Sequence, residues 1–302
     1  MRSPDRMRQA GSLDWHWMAQ CAESGLALLR AAQNPDGGWG YFPGNASWLE
    51  PTAYALLALS EEAEARRGID RGMRLLDRWV LSAGGWQASE AVKGAHWASS
   101  LVVTLHTALG RHDESTARAV DWLLETSGAE TRTVSRIAHW LSPRTVEFDA
   151  SLSGWPWQPG TSAWIEPTAH VLMALRHLAR GGHPGARERV AAGQAMLLER
   201  RCRDGGWNYG NRRVLGVDLP SHPETTALAL MALDGHPEIR WGEMLDRVER
   251  LYRETRSPWA RAWLGACLLQ YRGVRPESRP AGNDLLVTAV EAIRWDRIMG
   301  AA

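Results

Sequence analysis

The sequence has no excess of charge, few cysteines and no long apolar run, and each absence excludes a class of protein. Its 302 residues carry 35 basic and 34 acidic side chains, so no electrostatic signature for nucleic acid is present. Its 3 cysteines stand far apart without metal-ligand spacing, which favours free thiols in a reducing compartment over a disulfide framework. No stretch approaches the roughly 20 apolar residues of a transmembrane helix, and the N-terminus lacks the apolar segment of a secretory signal. A cytoplasmic location is therefore expected.

Phenylalanine is almost absent, with 2 residues, whereas tryptophan occurs 17 times. Tryptophan combines a large apolar surface with one N–H donor and a ring face that attracts cations. It could serve here as the ordinary core aromatic or line an aromatic cavity. Composition alone favours the first interpretation.

One ten-residue phrase occurs three times, as EPTAYALLAL at Glu50–Leu59, EPTAHVLMAL at Glu166–Leu175 and ETTALALMAL at Glu224–Leu233. Glycine-rich turns carrying a tryptophan recur along the chain, at Trp39, Trp86, Trp155 and Trp207. A segment with helical periodicity and a charged face precedes each turn, and an apolar helical segment follows it. The pattern predicts stacked helical hairpins.

We therefore predict an all-α fold: one α/α toroid of five to six helical hairpins, with an inner apolar ring and an outer amphipathic ring. One domain is expected to span residues 1–302, with a flexible tail at 1–13, an insertion at 126–150 and a loop at 273–282 before a last helix. The second copy of the phrase is degenerate, and counting back from Leu105 puts His96 at the glutamate position. A weaker fifth copy puts Trp259 there.

The turn QNPDGGW at Gln33–Trp39 resembles the Gln-x3-Gly-x-Trp repeat of the terpenoid cyclase and protein prenyltransferase superfamily, which includes squalene-hopene cyclases. The resemblance implies a toroid in which the turn tryptophans are structural. It also implies two activities to test. The zinc ligands of protein prenyltransferases fall on residues that cannot bind zinc, such as Pro51 and Ala53. A zinc prenyltransferase is therefore not expected, and no metal or cofactor is predicted.

Protonation-initiated cyclases of this superfamily carry Asp-x-Asp-Asp-Thr-Ala at the start of an inner helix. Aligned on Thr-Ala, the resemblance places the proton-donating Asp on Glu50, Glu166 or Glu224. The flanking acids are missing, since Trp48 and Pro51 replace them in the first copy.

The three glutamates have two interpretations. A carboxylate in the first turn of a helix is stabilised by the macrodipole, typically by about 0.3–1 kcal/mol, and a repeated position suits such a structural role. Alternatively, one of them is an acid catalyst. Glu166 is the candidate because His170 lies four residues later on the same helical face, a pairing absent from the other copies. The candidate catalytic residues are Glu166, His170, Glu50 and Glu224.

If the inner helices begin at one end of the ring, tryptophans and polar residues gather around the carboxylates. The candidate ligand-binding residues are Trp48, Trp97, Trp164, Trp259, His96, Asp218 and His222. The last two lie in a long loop, RRVLGVDLPSHPE, where they could instead cap turns.

The leading functional hypothesis is a toroid that binds an isoprenoid or other apolar small molecule in a central Trp-rich cavity, as a non-standard cyclase with Glu166 as the acid, assisted by His170. The first alternative is a non-catalytic binding or scaffold toroid that uses an outer face for a protein partner. The second is a carbohydrate-active α/α barrel, because two acids and aromatic rings also suit sugars. The sequence leaves all three open.

Overall fold

The computed structural model describes residues 23–131, 148–275 and 282–300, and within them it consists of helices, the loops between them and one short hairpin. The helices are α1 (described from 23 to 31), α2 (Leu49–Leu59), α3 (Arg66–Trp79), α4 (Ser99–Ala108), α5 (Glu114–Glu125), α6 (Ile165–Arg180), α7 (Pro184–Glu199), α8 (Pro223–Ala232), α9 (Trp241–Glu254), α10 (Pro258–Arg272), α11 (Leu285–Ala292) and α12 (Trp295–Gly300). Short 3₁₀ turns occupy Ala63–Ala65 and Ala129–Thr131. An antiparallel hairpin, β1 (Arg213–Val214) and β2 (Val217–Asp218), was not predicted.

Six helices of the described chain form a closed inner ring. Helices α2, α4, α6, α8, α10 and α11 each pack on the next, and α11 packs on α2. A backbone hydrogen bond of 3.0 Å from Leu285 to Tyr41 also joins the last inner helix to the first turn. The predicted α/α toroid is confirmed.

The burial pattern explains which helices lie inside. Every residue of α2 except Glu50 is buried, so this helix has neighbours on all sides. Outer helix α3 buries only Gly72, Leu75, Leu76 and Trp79 and turns its charged face to solvent. The predicted division into apolar inner and amphipathic outer helices is therefore correct for this hairpin.

Each turn tryptophan ties an outer helix to the inner helix that follows. Its indole N–H donates to a carbonyl of the preceding helix, on Leu29, Leu76, Leu123 and Leu197 in chain order. Its backbone N–H donates to a hydroxyl of the next inner helix, on Thr52, Ser99, Thr168 and Thr226. All four indoles are almost completely buried. The structural role predicted for these tryptophans is confirmed.

This hydrogen bond corrects the alignment of the second copy. Ser99 accepts from the turn tryptophan as Thr52 does in the first copy, 13 residues after it in both cases. Glu50 lies two residues before Thr52, so its counterpart is Trp97. The sequence alignment had placed His96 there, one residue off, because the apolar segment that follows can be aligned with the other copies at more than one position.

Because each turn joins the end of an outer helix to the start of an inner one, the inner helices begin at the same end of the ring, which we call the mouth. Backbone hydrogen bonds link these starts to neighbouring turns, from Leu49 to Ala88 at 2.8 Å and from Ile165 to Tyr209 at 2.9 Å. Together with the hydrogen bonds from the turn tryptophans to the hydroxyls of the inner helices, these backbone bonds fix the geometry of the mouth.

Several predicted segments fall wholly or partly outside the described residues. They are the tail at 1–13, most of the insertion at 126–150 and most of the loop at 273–282. The predicted last helix is two helices, α11 and α12, separated by Ile293 and Arg294.

Candidate active site at the mouth

Three carboxyl groups meet at the mouth, at the starts of α2, α6 and α8. Glu166 and Glu224 are 6% and 8% exposed, and Glu50 is half-buried. Glu166 interacts electrostatically with both of the others. We call Glu50, Glu166 and Glu224 the carboxyl triad. The predicted convergence of these residues is therefore present in the fold.

Two members of the triad accept a hydrogen bond from a tyrosine of their own copy. The Tyr41 hydroxyl donates to Glu50 Oε2 at 2.7 Å, and the Tyr209 hydroxyl donates to Glu224 Oε1 at 2.5 Å. Each tyrosine lies two residues after the turn tryptophan. In the third copy that position holds Trp157. Glu166 accordingly has no hydrogen-bond partner among the described residues.

The missing partner has an electrostatic consequence. Burial, together with the charges of Glu50 and Glu224, raises the pKa of Glu166 to about 8. Burial also raises the pKa of Glu50 to about 7, although the hydrogen bond from Tyr41 opposes the increase. Within the described residues no arginine or lysine forms an ion pair with the triad. At neutral pH Glu166 therefore keeps its proton.

Aromatic rings from opposite sides of the ring meet on its axis below the triad. The Tyr54 hydroxyl and His170 Nε2 are 3.1 Å apart. The His170 ring centroid lies 5.0 Å from that of Trp97 and 5.3 Å from that of Trp263. All four side chains are buried, and we call them the aromatic floor. Because α2, α6 and α10 are not neighbours in the ring, contacts among their side chains must lie near the axis.

His170 belongs to this floor rather than to a pair with Glu166. It lies one helical turn after Glu166, as predicted, but its hydrogen bond goes to Tyr54, and none joins it to Glu166. Burial lowers the pKa of His170 to about 3, so the ring is neutral. The floor therefore presents a neutral imidazole, a phenol and two indole rings.

The other predicted tryptophans border the site. Trp48 immediately precedes α2 and Trp164 immediately precedes α6, and both are half-buried. Trp259 is also half-buried, and its ring lies 5.8 Å from that of Trp263. Trp97 is part of the floor itself. Trp259 thus packs against the floor, whereas Trp48 and Trp164 lie two residues before Glu50 and Glu166 in the sequence.

His96 and His222 lie at the edge of the site. His96 is half-buried, its Nδ1 accepts the backbone N–H of Ala98 at 3.3 Å, and burial lowers its pKa to about 4. His222 precedes α8, and its ring lies 4.9 Å from that of Tyr209.

Asp218 stands in the exposed β1–β2 hairpin. Its contacts are ion pairs with Arg203 at 3.1 Å and with Arg213 at 3.7 Å. It forms no hydrogen bond or ion pair with the triad.

Sequence reasoning missed Tyr41, Tyr209, Trp157 and Trp263. The two tyrosines had a signal, because both follow their turn tryptophan by two residues. Trp263 had none, since only packing across the ring brings it beside His170. No group of three or more His, Cys, Asp or Glu side chains in the described ranges is arranged to hold a metal ion.

Comparison with known proteins finds sequence similarity over short segments of the chain. No protein-family model matches the chain. A drimenyl diphosphate synthase from Streptomyces showdoensis is 40% identical over 72 residues, which cover 23% of this chain and 14% of that protein. An uncharacterised protein from Sinorhizobium fredii is 46% identical over 65 residues, 20% of this chain and 12% of its own. The chain therefore matches only a small part of the length of these relatives.

Solved structures match along nearly the whole chain. The type II terpene cyclase MstE from Scytonema, in complex with geranylgeranyl dihydroxybenzoate, aligns with a TM-score of 0.55 and 18% identity, covering 93% of this chain and 78% of its own. The endoglucanase Cel10 from Klebsiella pneumoniae aligns with a TM-score of 0.54 and 15% identity, covering 90% and 97%. At these identities the likeness establishes the fold: a terpenoid cyclase-like α/α toroid, shared with glycosidases.

Proposed function

We propose that the protein binds an isoprenoid or similarly apolar ligand between the carboxyl triad and the aromatic floor, and cyclises it as a non-standard terpene cyclase with Glu166 as the proton donor. One observation carries the proposal. Glu166 is the triad member without a tyrosine donor, and it is buried and protonated at neutral pH. The similarity to a drimenyl diphosphate synthase and to a type II terpene cyclase supports it.

The triad gathers its carboxyl groups from different copies of the repeat and not from one linear acid motif. In the cyclase pattern, acids adjacent in sequence surround the proton donor, whereas Trp164 and Pro167 flank Glu166 here. Glu50 and Glu224 supply neighbouring acids in space, from two other copies of the repeat. The folded ring therefore brings three carboxyl groups together and keeps one of them, Glu166, protonated at neutral pH, which is the state from which a proton donor must start.

The chemistry begins with transfer of the Glu166 proton to a terminal alkene carbon. The π electrons form the new C–H bond, and the other alkene carbon becomes a carbocation beside the glutamate carboxylate. Trp97 and Trp263 in the floor can stabilise positive charge through their ring faces. Ring closure moves the charge along the chain, and loss of a proton to a base gives the neutral product. Solvent at the mouth then returns a proton to Glu166.

Product analysis by mass spectrometry tests the proposal. Purified wild type and the Glu166→Gln variant are each incubated separately with farnesyl diphosphate, geranylgeranyl diphosphate and squalene. We expect the variant to lose at least about 100-fold in turnover, because it cannot donate a carboxyl proton. Glu90→Gln is the matched control, since Glu90 is an exposed carboxylate of a mouth loop. Unchanged turnover in Glu166→Gln would show that the acid role is wrong.

A carbohydrate-active enzyme is the second candidate, favoured by the alignment that covers nearly all of the endoglucanase Cel10. Glycoside hydrolysis also needs one protonated and one ionised carboxyl group. Release of reducing sugar from soluble glucans, lost in Glu166→Gln, would support this candidate instead. Absence of turnover in both assays, with retained binding of an apolar ligand, would favour the binding or scaffold alternative.

A further inference from the structure

One buried hydrogen-bond donor of the aromatic floor has no acceptor within the described chain. Seven tryptophans are completely or almost completely buried: Trp39, Trp79, Trp86, Trp155, Trp207, Trp263 and Trp295. Six of them donate their indole N–H to a carbonyl or carboxylate oxygen, at distances between 2.6 and 3.3 Å. The exception is Trp263, whose Nε1 is buried without a hydrogen-bond partner among the described residues. Because unpaired buried donors are destabilising and rare, an acceptor from outside the chain is expected here.

Trp263 lies within the site to which we assign the ligand. Its ring centroid is 5.3 Å from that of His170 and 6.1 Å from that of Tyr54, both in the aromatic floor. The ring of Trp259, a predicted ligand-binding residue, is 5.8 Å away. The Tyr54 hydroxyl and His170 Nε2 are already hydrogen-bonded to each other at 3.1 Å. The N–H of Trp263 is therefore the donor that a ligand in the floor can use.

The carboxyl triad determines what kind of acceptor can approach this donor. Three carboxyl groups meet at the mouth, and like charges repel, so an anionic group such as a diphosphate is disfavoured there. A hydroxyl, ether or carbonyl oxygen accepts a hydrogen bond without adding negative charge. The ligand that suits both the triad and the floor is thus apolar and carries a neutral oxygen.

We propose that the ligand of this site is an oxygenated isoprenoid whose neutral oxygen accepts the indole N–H of Trp263, and that Trp263 selects it over a hydrocarbon of the same shape. This inference rests on the proposed function, since it specifies the ligand held between the triad and the floor. The N–H lies on the edge of the indole, so the hydrogen bond leaves the ring face available to a carbocation. Trp263 is then a specificity-determining residue.

NMR of the full chain carrying isotope-labelled tryptophan tests the hydrogen bond. The two probes are farnesol and its deoxy analogue, the hydrocarbon with the same skeleton. Trp263→Phe identifies the indole N–H resonance of Trp263 by its loss from the spectrum. We expect farnesol to move this resonance downfield of its position with the hydrocarbon, because a hydrogen bond deshields the donor proton. The indole N–H of Trp295 already bonds the Val290 carbonyl at 3.3 Å and should have the same resonance with both probes.

Binding affinities supply a second measurement. Displacement of a fluorescent apolar dye gives the dissociation constants of both probes, and their ratio is the preference for farnesol. Trp263→Phe is expected to reduce this preference by about five- to tenfold, which corresponds to the loss of one hydrogen bond. Trp295→Phe is the matched control. It removes a buried indole whose ring lies 5.3 Å from that of Trp263 but whose donor is used within the fold, so the wild-type preference should remain.

The outcomes separate this inference from the proposed function. If both probes give the same Trp263 resonance, or if the preference for farnesol survives in Trp263→Phe, the inference is overturned while binding between the triad and the floor stands. If wild type binds neither probe, the inference fails together with the proposed function. Should Trp263→Phe not fold, the wild-type spectra still decide, because the inference requires an indole resonance that moves downfield with farnesol and not with the hydrocarbon.

Discussion

Tyr54 and His170 form a hydrogen bond of 3.1 Å across the axis of the inner ring, although 116 residues separate them in the sequence. Both are buried, and both lie two residues after the hydroxyl that ties their inner helix to its turn. The same position in the second and fourth copies holds Leu101 and Leu228, which cannot form such a bond. The bond therefore links the first and third copies specifically and orients the rings of the aromatic floor.

Replacing one partner of this bond should destabilise the fold. Tyr54→Phe leaves the buried Nε2 of His170 without its partner, and we expect a loss of about 1–3 kcal/mol in the free energy of unfolding, measured with urea. Tyr54→Phe/His170→Leu, which removes both polar groups, should lose less than the sum of the two single variants. Additive losses would mean that the bond contributes no coupling energy.

Supplying Glu166 with a tyrosine donor should lower its pKa. Trp157→Tyr places a phenol where Tyr41 and Tyr209 stand in their own copies, and a hydrogen bond to the carboxylate favours the ionised form. We expect the Glu166 pKa to fall below about 8, as measured by NMR of carboxyl-labelled glutamate. Trp157→Phe also removes the indole but adds no donor, so it controls for the change in packing. An equal pKa in the two variants would contradict the prediction.

The triad should make the protein less stable as the pH rises from about 4.5 toward 8. The folded pKa of Glu166, about 8, is higher than its ordinary value of 4.5, so between these values the folded state binds more protons than the unfolded state. Stability that is present below pH 4.5 is therefore lost as the pH rises toward 8. Histidines with lowered pKa, such as His170 and His96, oppose this trend only below about pH 6.5.

Between about pH 6.5 and pH 8 we expect Glu166 to contribute a loss of about 1–2 kcal/mol in the free energy of unfolding. Glu166→Gln should remove this part of the slope and leave the part due to Glu50. Urea titrations at several pH values measure both slopes. A variant with the wild-type slope would show that Glu166 is ionised throughout this range.

A buried ion pair beside the third turn should be essential to the fold. The side chains of Arg200 and Glu130 are 2% and 5% exposed, and Arg200 Nη2 lies 3.0 Å from Glu130 Oε1. Glu130 also accepts a hydrogen bond from the backbone N–H of Ala163. Arg200→Met leaves a buried carboxylate without its cation, and we expect a loss of about 3–5 kcal/mol in the free energy of unfolding. Glu130→Gln/Arg200→Met should recover part of it. If the double variant were the less stable one, the uncompensated charge would not be the cause.

Local patterns were sufficient for the ring but not for the register of every copy. The Gly-Trp turns and the phrase beginning at Glu50 predicted hairpins, because hydrophobic periodicity reports which face of a helix is buried. The same reasoning placed His96 one residue away from the true counterpart, Trp97. The hydrogen bond that the Trp86 backbone N–H donates to the Ser99 hydroxyl sets that position, and apolar periodicity does not encode it.

The sequence by itself determined the fold and the location of the carboxylates, because repeated local segments impose the same hairpin each time. Tertiary structure decided the charge of Glu166. Its pKa depends on burial and on the charges of Glu50 and Glu224, which lie 116 and 58 residues away along the chain. No tyrosine hydrogen bond lowers this pKa, because Trp157 stands at the position that Tyr41 and Tyr209 hold in the other copies. Electrostatic interactions act through space, so only the closed ring brings these groups close enough to set the charge of one carboxyl.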